Sequence, residues 1–548
     1  MHDTDPFATR AVSPEALQAL LCGDGELALL DVREARAFHA GHLNLARSAP
    51  LSSLELQIRA FVPRPSTPLV LYDDAGAPGA AAARAARVLA RLGYGDVALL
   101  RGGLRAWREA GLPVIDGWNT LIKAFGDRVR QHYATRVLPL AELDAMRARG
   151  APPVLVDVRP ADEFAYLSIA GARHHAGAEL ALRDFPAADA DAAPLWAVNC
   201  FSRTRGIFGA TTLAVLGHRH AAFVEDGVMA WHLRGGPVLR AAHAPPGLPQ
   251  APHAVLARRA AALRRQAEVP AIDAARLAHW RADPSRTLYI FDVRPEAGPA
   301  SGAAADVRHV PGGQVLMHFE QLVGTRHARV VLVDDGHGLR AAVTAFWLRQ
   351  FNQCEVAVLD GEPPPAAAPD APATLNEAAA PAMHAGALAA RLGEGAAVVI
   401  DVGPSEDFER GHIPGARYLL PASLSSLAPL VGQGGTLVFT SPDGAAARIA
   451  ASDALREWPT ARHVFWLAGG TQAWAAAGRP LTSHYTPDDL LTPFDDDWGS
   501  TMRVHPSQRA TAWRDYLAWE RALSARVALD AAVRFRLLDR PAAAGAHI

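Results

Sequence analysis

The chain has 548 residues, half of them hydrophobic and a fifth charged, and a formal net charge of -2. That length exceeds a single core and predicts about three to five domains, while the near-neutral balance argues against global attraction to nucleic acid or membrane surfaces. No stretch reaches the roughly 18 apolar residues of a spanning helix, and Met1 to Asp5 is too acidic for a secretory leader. With only Cys22, Cys200 and Cys354, and no CxxC pair, the chain suits a reducing compartment and is expected to be cytoplasmic.

One phrase recurs along the chain. Residues 28-33 read Ala-Leu-Leu-Asp-Val-Arg, residues 154-159 Val-Leu-Val-Asp-Val-Arg, residues 289-294 Tyr-Ile-Phe-Asp-Val-Arg and residues 398-403 Val-Val-Ile-Asp-Val-Gly. Each is a β-rich apolar run ending in Asp, as in a buried strand with a polar carboxyl end. The aspartates Asp31, Asp157, Asp292 and Asp401 are 126, 135 and 109 positions apart, spacings of domain size. In every copy a second apolar run follows, then a Gly- or Ser-bearing loop, an Ala-rich helical stretch and a third apolar run. Three copies close on Gly and Trp (Trp107, Trp231, Trp474), whereas the third runs into Pro363-Pro364-Pro365. Strands alternating with helices predict an α/β fold: four domains, each a small parallel sheet flanked by helices.

The expected domains are 12-112, 136-239, 270-362 and 382-482, with a helical tail over 484-548. Residues 243-252 and 363-381 are rich in Pro and Ala and are read as linkers, the first dividing the chain near its middle. After the acidic turn Asp495-Asp496-Asp497-Trp498, a helix is expected from about Ser507. Trp513, Leu517, Leu523 and Val527 lie near one face, favouring a docking helix over a partner-binding one.

Ligands of parallel sheets bind at the carboxyl ends of strands, where loops meet helix N-termini. The repeat puts four loops there, beginning at Asp73, Cys200, Asp334 and Thr440. The second alone starts on a strong nucleophile: Cys200-Phe201-Ser202-Arg203-Thr204-Arg205, leading into a helix expected near Gly206. Backbone N-H groups, the helix dipole and the cations Arg203 and Arg205 are expected to lower the Cys200 pKa and attract an anion. Cys22 and Cys354 lack flanking cations and are assigned structural roles. Asp157 and Arg159 recur in copies without the cysteine, so a local cap and ion pair is expected of them. His174-His175 and the pair His218 and His220 lack the accompanying ligands of a metal site, so no metal or other cofactor is expected.

These residues resemble the rhodanese (thiosulfate sulfurtransferase) family. The resemblance rests on the Asp-Val-Arg strand, on Glu406-Asp-Phe-Glu-Arg-Gly-His-Ile-Pro-Gly-Ala416 and on Leu467-Ala-Gly-Gly-Thr-Gln-Ala-Trp474, and extends over most of the chain. It implies a single active domain with Cys200 and Arg205 as catalytic residues, while Phe201, Ser202, Arg203, Thr204 and Gly206 form the substrate-binding loop. Copies with Asp73, Asp334 and Thr440 resemble inactive modules. The implied reaction moves a sulfane sulfur from an anionic donor such as thiosulfate, through a persulfide, to a thiol or cyanide. Small molecules are the expected partners, with a protein sulfur acceptor as an option, and no nucleic acid or membrane. The loop has the six residues typical of the family rather than the longer loop of related phosphatases. The competing reading is a binding, regulatory or sulfur-carrier array without repeated turnover.

Overall fold

The computed structural model describes residues 10-539, apart from 78, 186-193, 219, 241-244, 246, 296-303, 367-379, 433, 462 and 498. Parts of both expected linkers, and Trp498, lie outside the described residues. Four five-stranded sheets share one strand order. In the second copy it runs Val137–Leu138, Ala221–Val224, Trp196–Asn199, Val154–Asp157 and Arg173–His174, all parallel. The third copy repeats it with Ala271–Ile272, Glu355–Leu359, Arg329–Val333, Leu288–Asp292 and Val307–His309. Helices cover the sheet faces, which is why the central strands are apolar up to their polar carboxyl ends.

The recurring phrase has a local cause. Asp157 accepts the Arg159 backbone N-H at 3.0 Å, and the Arg159 guanidinium binds it back at 2.9 and 2.8 Å. Arg159 then donates to the Leu167 carbonyl, so the fully buried pair ties the strand end to the next turn. Asp31 with Arg33 and Asp292 with Arg294 repeat the arrangement. In the fourth copy Gly403 replaces the arginine, and the buried Asp401 carboxyl keeps only the Gly403 N-H at 2.9 Å. The closing tryptophans also share one contact: each indole N-H of Trp107, Trp231 and Trp474 donates to the carbonyl of a proline six residues on.

The apolar core crosses the expected division at 243-252. One cluster takes in residues of the first three copies, among them Leu104, Trp107, Phe208, Trp347 and Phe351, and Phe125, between the first two copies, packs against Phe208 and Phe351. Ala251 donates to the Leu182 carbonyl at 2.9 Å, so this end of the linker is bonded to the second copy. The fourth copy keeps its own cores. The tail helix spans Arg509–Val527, and Trp513, Leu517, Leu523 and Val527 are all buried. Among the described residues no helix is long and apolar enough to cross a membrane.

Candidate active site

Cys200 follows the strand Trp196–Asn199, and the helix Thr204–Val215 starts two residues earlier than the sequence suggests. The loop is pinned from below by the next helix, Gly227–Leu233, whose Val228 and Met229 N-H groups donate to the Cys200 and Phe201 carbonyls at 2.9 Å. Only glycine permits this approach. Gly227 has φ of 56°, and a Cβ there would stand 2.3 Å from the Cys200 carbonyl oxygen. Beneath the loop, Asn199 Nδ2 donates to Asp157 at 2.8 Å, coupling the buried ion pair to the residue before the thiol.

The loops of the other copies reveal what this cradle accepts. Asp73 receives the N-H groups of Ala75, Gly76 and Ala82 at 3.1, 2.6 and 2.9 Å. Asp334 receives those of Asp335 and Ala341 at 2.8 and 3.1 Å. In the fourth copy Ser441 Oγ receives the Ala447 N-H at 3.2 Å, and Thr440 is buried against Thr471. Two cradles thus hold an anionic oxygen of their own chain. In the second copy the Gly206 N-H is directed at the Cys200 sulfur instead.

The electrostatics differ from expectation. Cys200 is 2% exposed, and burial pushes its pKa up to about 11, against the opposing pull of Arg205 and the Gly206 N-H. Removing a thiolate from water outweighs the nearby positive charge. Each polar side chain of the loop is also already engaged. Arg205 forms a two-pronged pair with Glu163 at 2.6 and 2.7 Å. Arg203 binds Asp127 at 3.0 Å and approaches Asp226 at 3.8 Å, so it braces the loop rather than facing a donor. Phe201 packs edge-on to Trp513 at 5.3 Å, Ser202 hydrogen-bonds to Tyr516, and Thr204 donates to Glu520 at 3.0 Å.

Trp513, Tyr516 and Glu520 lie at i, i+3 and i+7 on the tail helix, so one face clasps three loop residues. Lys123 completes the wall. Its amine donates to the Trp118 carbonyl at 2.6 Å and stands 4.8 Å from the Trp519 ring centre, and burial lowers its pKa to about 8. Sequence reasoning missed Glu163, Lys123, Tyr516 and Glu520. The spacing of the tail helix was the only signal, and it did not say which surface the helix would meet.

His174 and His175 serve as scaffold. His174 Nε2 lies 2.7 Å from the Arg159 carbonyl, and His175 Nε2 accepts the Leu248 N-H at 3.1 Å. Among the described residues one group could hold a cation, Asp334 with Asp335 and His337, but the Arg340 guanidinium already sits against both carboxylates.

A family model described as the rhodanese-like domain matches residues 13–110, 140–234 and 384–477, more than half of the chain. The chain belongs to the rhodanese family. The matched segments omit the third copy, whose strand order is nevertheless the same. The chain is similar to the thiosulfate sulfurtransferase of Pseudomonas aeruginosa, with 34% identity, a TM-score of 0.86, and coverage of 96% of this chain and 100% of that one. It is also 38% identical over 124 residues to a probable 3-mercaptopyruvate sulfurtransferase of the same organism, covering 21% of this chain. The match spans 42% of that curated relative, less than half its length.

Proposed function

We propose that the protein is a cytoplasmic sulfurtransferase whose one working unit, residues 136-239, carries sulfur on Cys200, with units 12-112, 270-362 and 382-482 as scaffold. The observation that carries this reading is the cradle: where Asp73 and Asp334 place a carboxylate under backbone N-H groups, the second copy places a thiol. A persulfide is anionic, so it would take the position those carboxylates fill. The names of the two relatives agree with sulfur transfer but differ in the donor.

In the first step the Cys200 thiolate attacks the outer sulfur of thiosulfate. A new S-S bond forms, the old one breaks, and sulfite leaves with the electron pair. In the second step cyanide or a thiolate attacks the outer sulfur of the persulfide, and Cys200 departs as thiolate. Arg205, though paired with Glu163, still favours negative charge on the sulfur, and the loop N-H groups would hold the persulfide. Phe201, Ser202, Arg203, Thr204 and Gly206 shape this loop.

Cys200→Ser is expected to abolish thiocyanate formation from thiosulfate or mercaptopyruvate and cyanide, while Cys22→Ser and Cys354→Ser retain it. Turnover by the Cys200→Ser protein would sink the assignment. The burial of Cys200 favours a second reading, a carrier that loads one sulfur and releases it to a particular protein. That reading predicts one cyanide-releasable sulfur per chain without repeated turnover on small acceptors.

A further inference from the structure

Between the second and third copies lies a cavity of about 350 Å³. Its walls repeat: ten pairs of lining residues stand 135 positions apart, among them Arg205 with Arg340, Phe208 with Val343 and Thr212 with Trp347. The same interval of 135 separates Asp157 from Asp292, so equivalent segments of the two copies line the cavity. The backbones of the two copies approach closely here. A Cβ on Gly177 would lie 2.8 Å from Gly313 Cα, and one on Gly313 would lie 2.9 Å from Gly177 Cα. Larger residues here would push the units apart.

The lining is mostly apolar, including Val158, Phe208, Val293, Met317 and Val343. Two guanidinium groups line the cavity, and both are neutralised. Arg205 is held by Glu163 at 2.6 and 2.7 Å, and Arg340 is held by Glu179 and by Asp335 at 2.5 Å. A charged ligand would have to open one of these pairs and leave a buried charge uncompensated, whereas an uncharged ligand keeps both intact. Pockets of this size at domain interfaces are typical small-molecule sites.

We propose that this cavity binds an uncharged, predominantly apolar small molecule. An apolar cavity of about 150 Å³ takes benzene, so roughly twice that volume suits a bicyclic ring. None of the cavity walls includes Cys200, and the proposal does not depend on sulfur chemistry there.

Indole is the probe, titrated into the full chain by calorimetry. One-to-one saturable binding is expected, and the Met317 methyl resonance, identified through Met317→Leu, should shift along the same saturation curve. Ala176→Trp fills the cavity from its half-buried rim. It and Val343→Phe should each weaken binding by about tenfold or more, while Cys200→Ser leaves it unchanged. Indole-3-acetate, which adds a carboxylate to the same rings, should bind about tenfold more weakly. The proposal fails if the Met317 resonance does not move, if the charged analogue binds equally well, or if both filled variants, folded by circular dichroism, still bind indole fully. Should a variant misfold, the wild-type methyl signal and the charged analogue decide the matter.

Discussion

At the scale of single residues, the sign of the Cys200 shift has direct consequences. Alkylation of Cys200 by iodoacetamide should rise with pH and level off near 11, the value to which burial pushes the thiol, rather than near the ordinary value of about 8.5. Because the folded pKa is the higher one, this thiol's contribution to stability is complete below about pH 8.5 and is lost as pH rises through the folded value. A plateau near 8.5 would show that the thiol is not desolvated.

Asp401 presents a related case. Without an arginine partner, its burial raises the carboxyl to about 7. The fold therefore favours its neutral form, and that contribution is complete below about pH 4 and lost as pH rises through 7. Asp401→Asn keeps an acceptor for the Gly403 N-H and should raise the unfolding temperature more at pH 8 than at pH 5; an equal effect at both would contradict it. Arg159→Ala should do the opposite. It strands the Asp157 carboxylate in the interior, and breaking a buried pair in this way costs about 3–5 kcal/mol, measurable by urea unfolding.

At the scale of elements, the tail helix packs against the loop that carries the thiol. Trp513 is fully buried and meets Phe201 edge-on. Removing such a side chain costs about 3–5 kcal/mol, enough to loosen the helix from the loop. Trp513→Ala should therefore speed alkylation of Cys200 at pH 8 by about tenfold or more. An unchanged rate would mean that another element blocks the sulfur. The helix itself was legible, because Trp513, Leu517, Leu523 and Val527 repeat at helical spacing, and all four are buried. Its partner was not, since an apolar stripe records that a face is covered but not by what. The polar members of that face, Tyr516 and Glu520, carry no motif and become recognisable only beside Ser202 and Thr204.

At the scale of the whole molecule, the repeat in the sequence translated into four sheets of one strand order. It was readable because each strand end needs the same local bonds, such as those of Asp31 with Arg33 and Asp157 with Arg159. The association of the copies was not readable. Residues 243-252 look like a divider by composition, yet the first three copies share one apolar core. Pro and Gly report local backbone preference, whereas the core depends on contacts between residues hundreds of positions apart.

The sequence by itself determined the α/β class, the four-fold repeat and the singular position of Cys200, because strand patterning and loop register are local properties. Tertiary structure alone decided the state of that thiol. Two arginines in the loop suggested a lowered pKa, but Glu163, Asp127 and Asp226 pair with them, and burial of the sulfur outweighs the pull that remains. Desolvation and charge neutralisation are sums over everything that packs around an atom, and no stretch of sequence around Cys200 contains those neighbours.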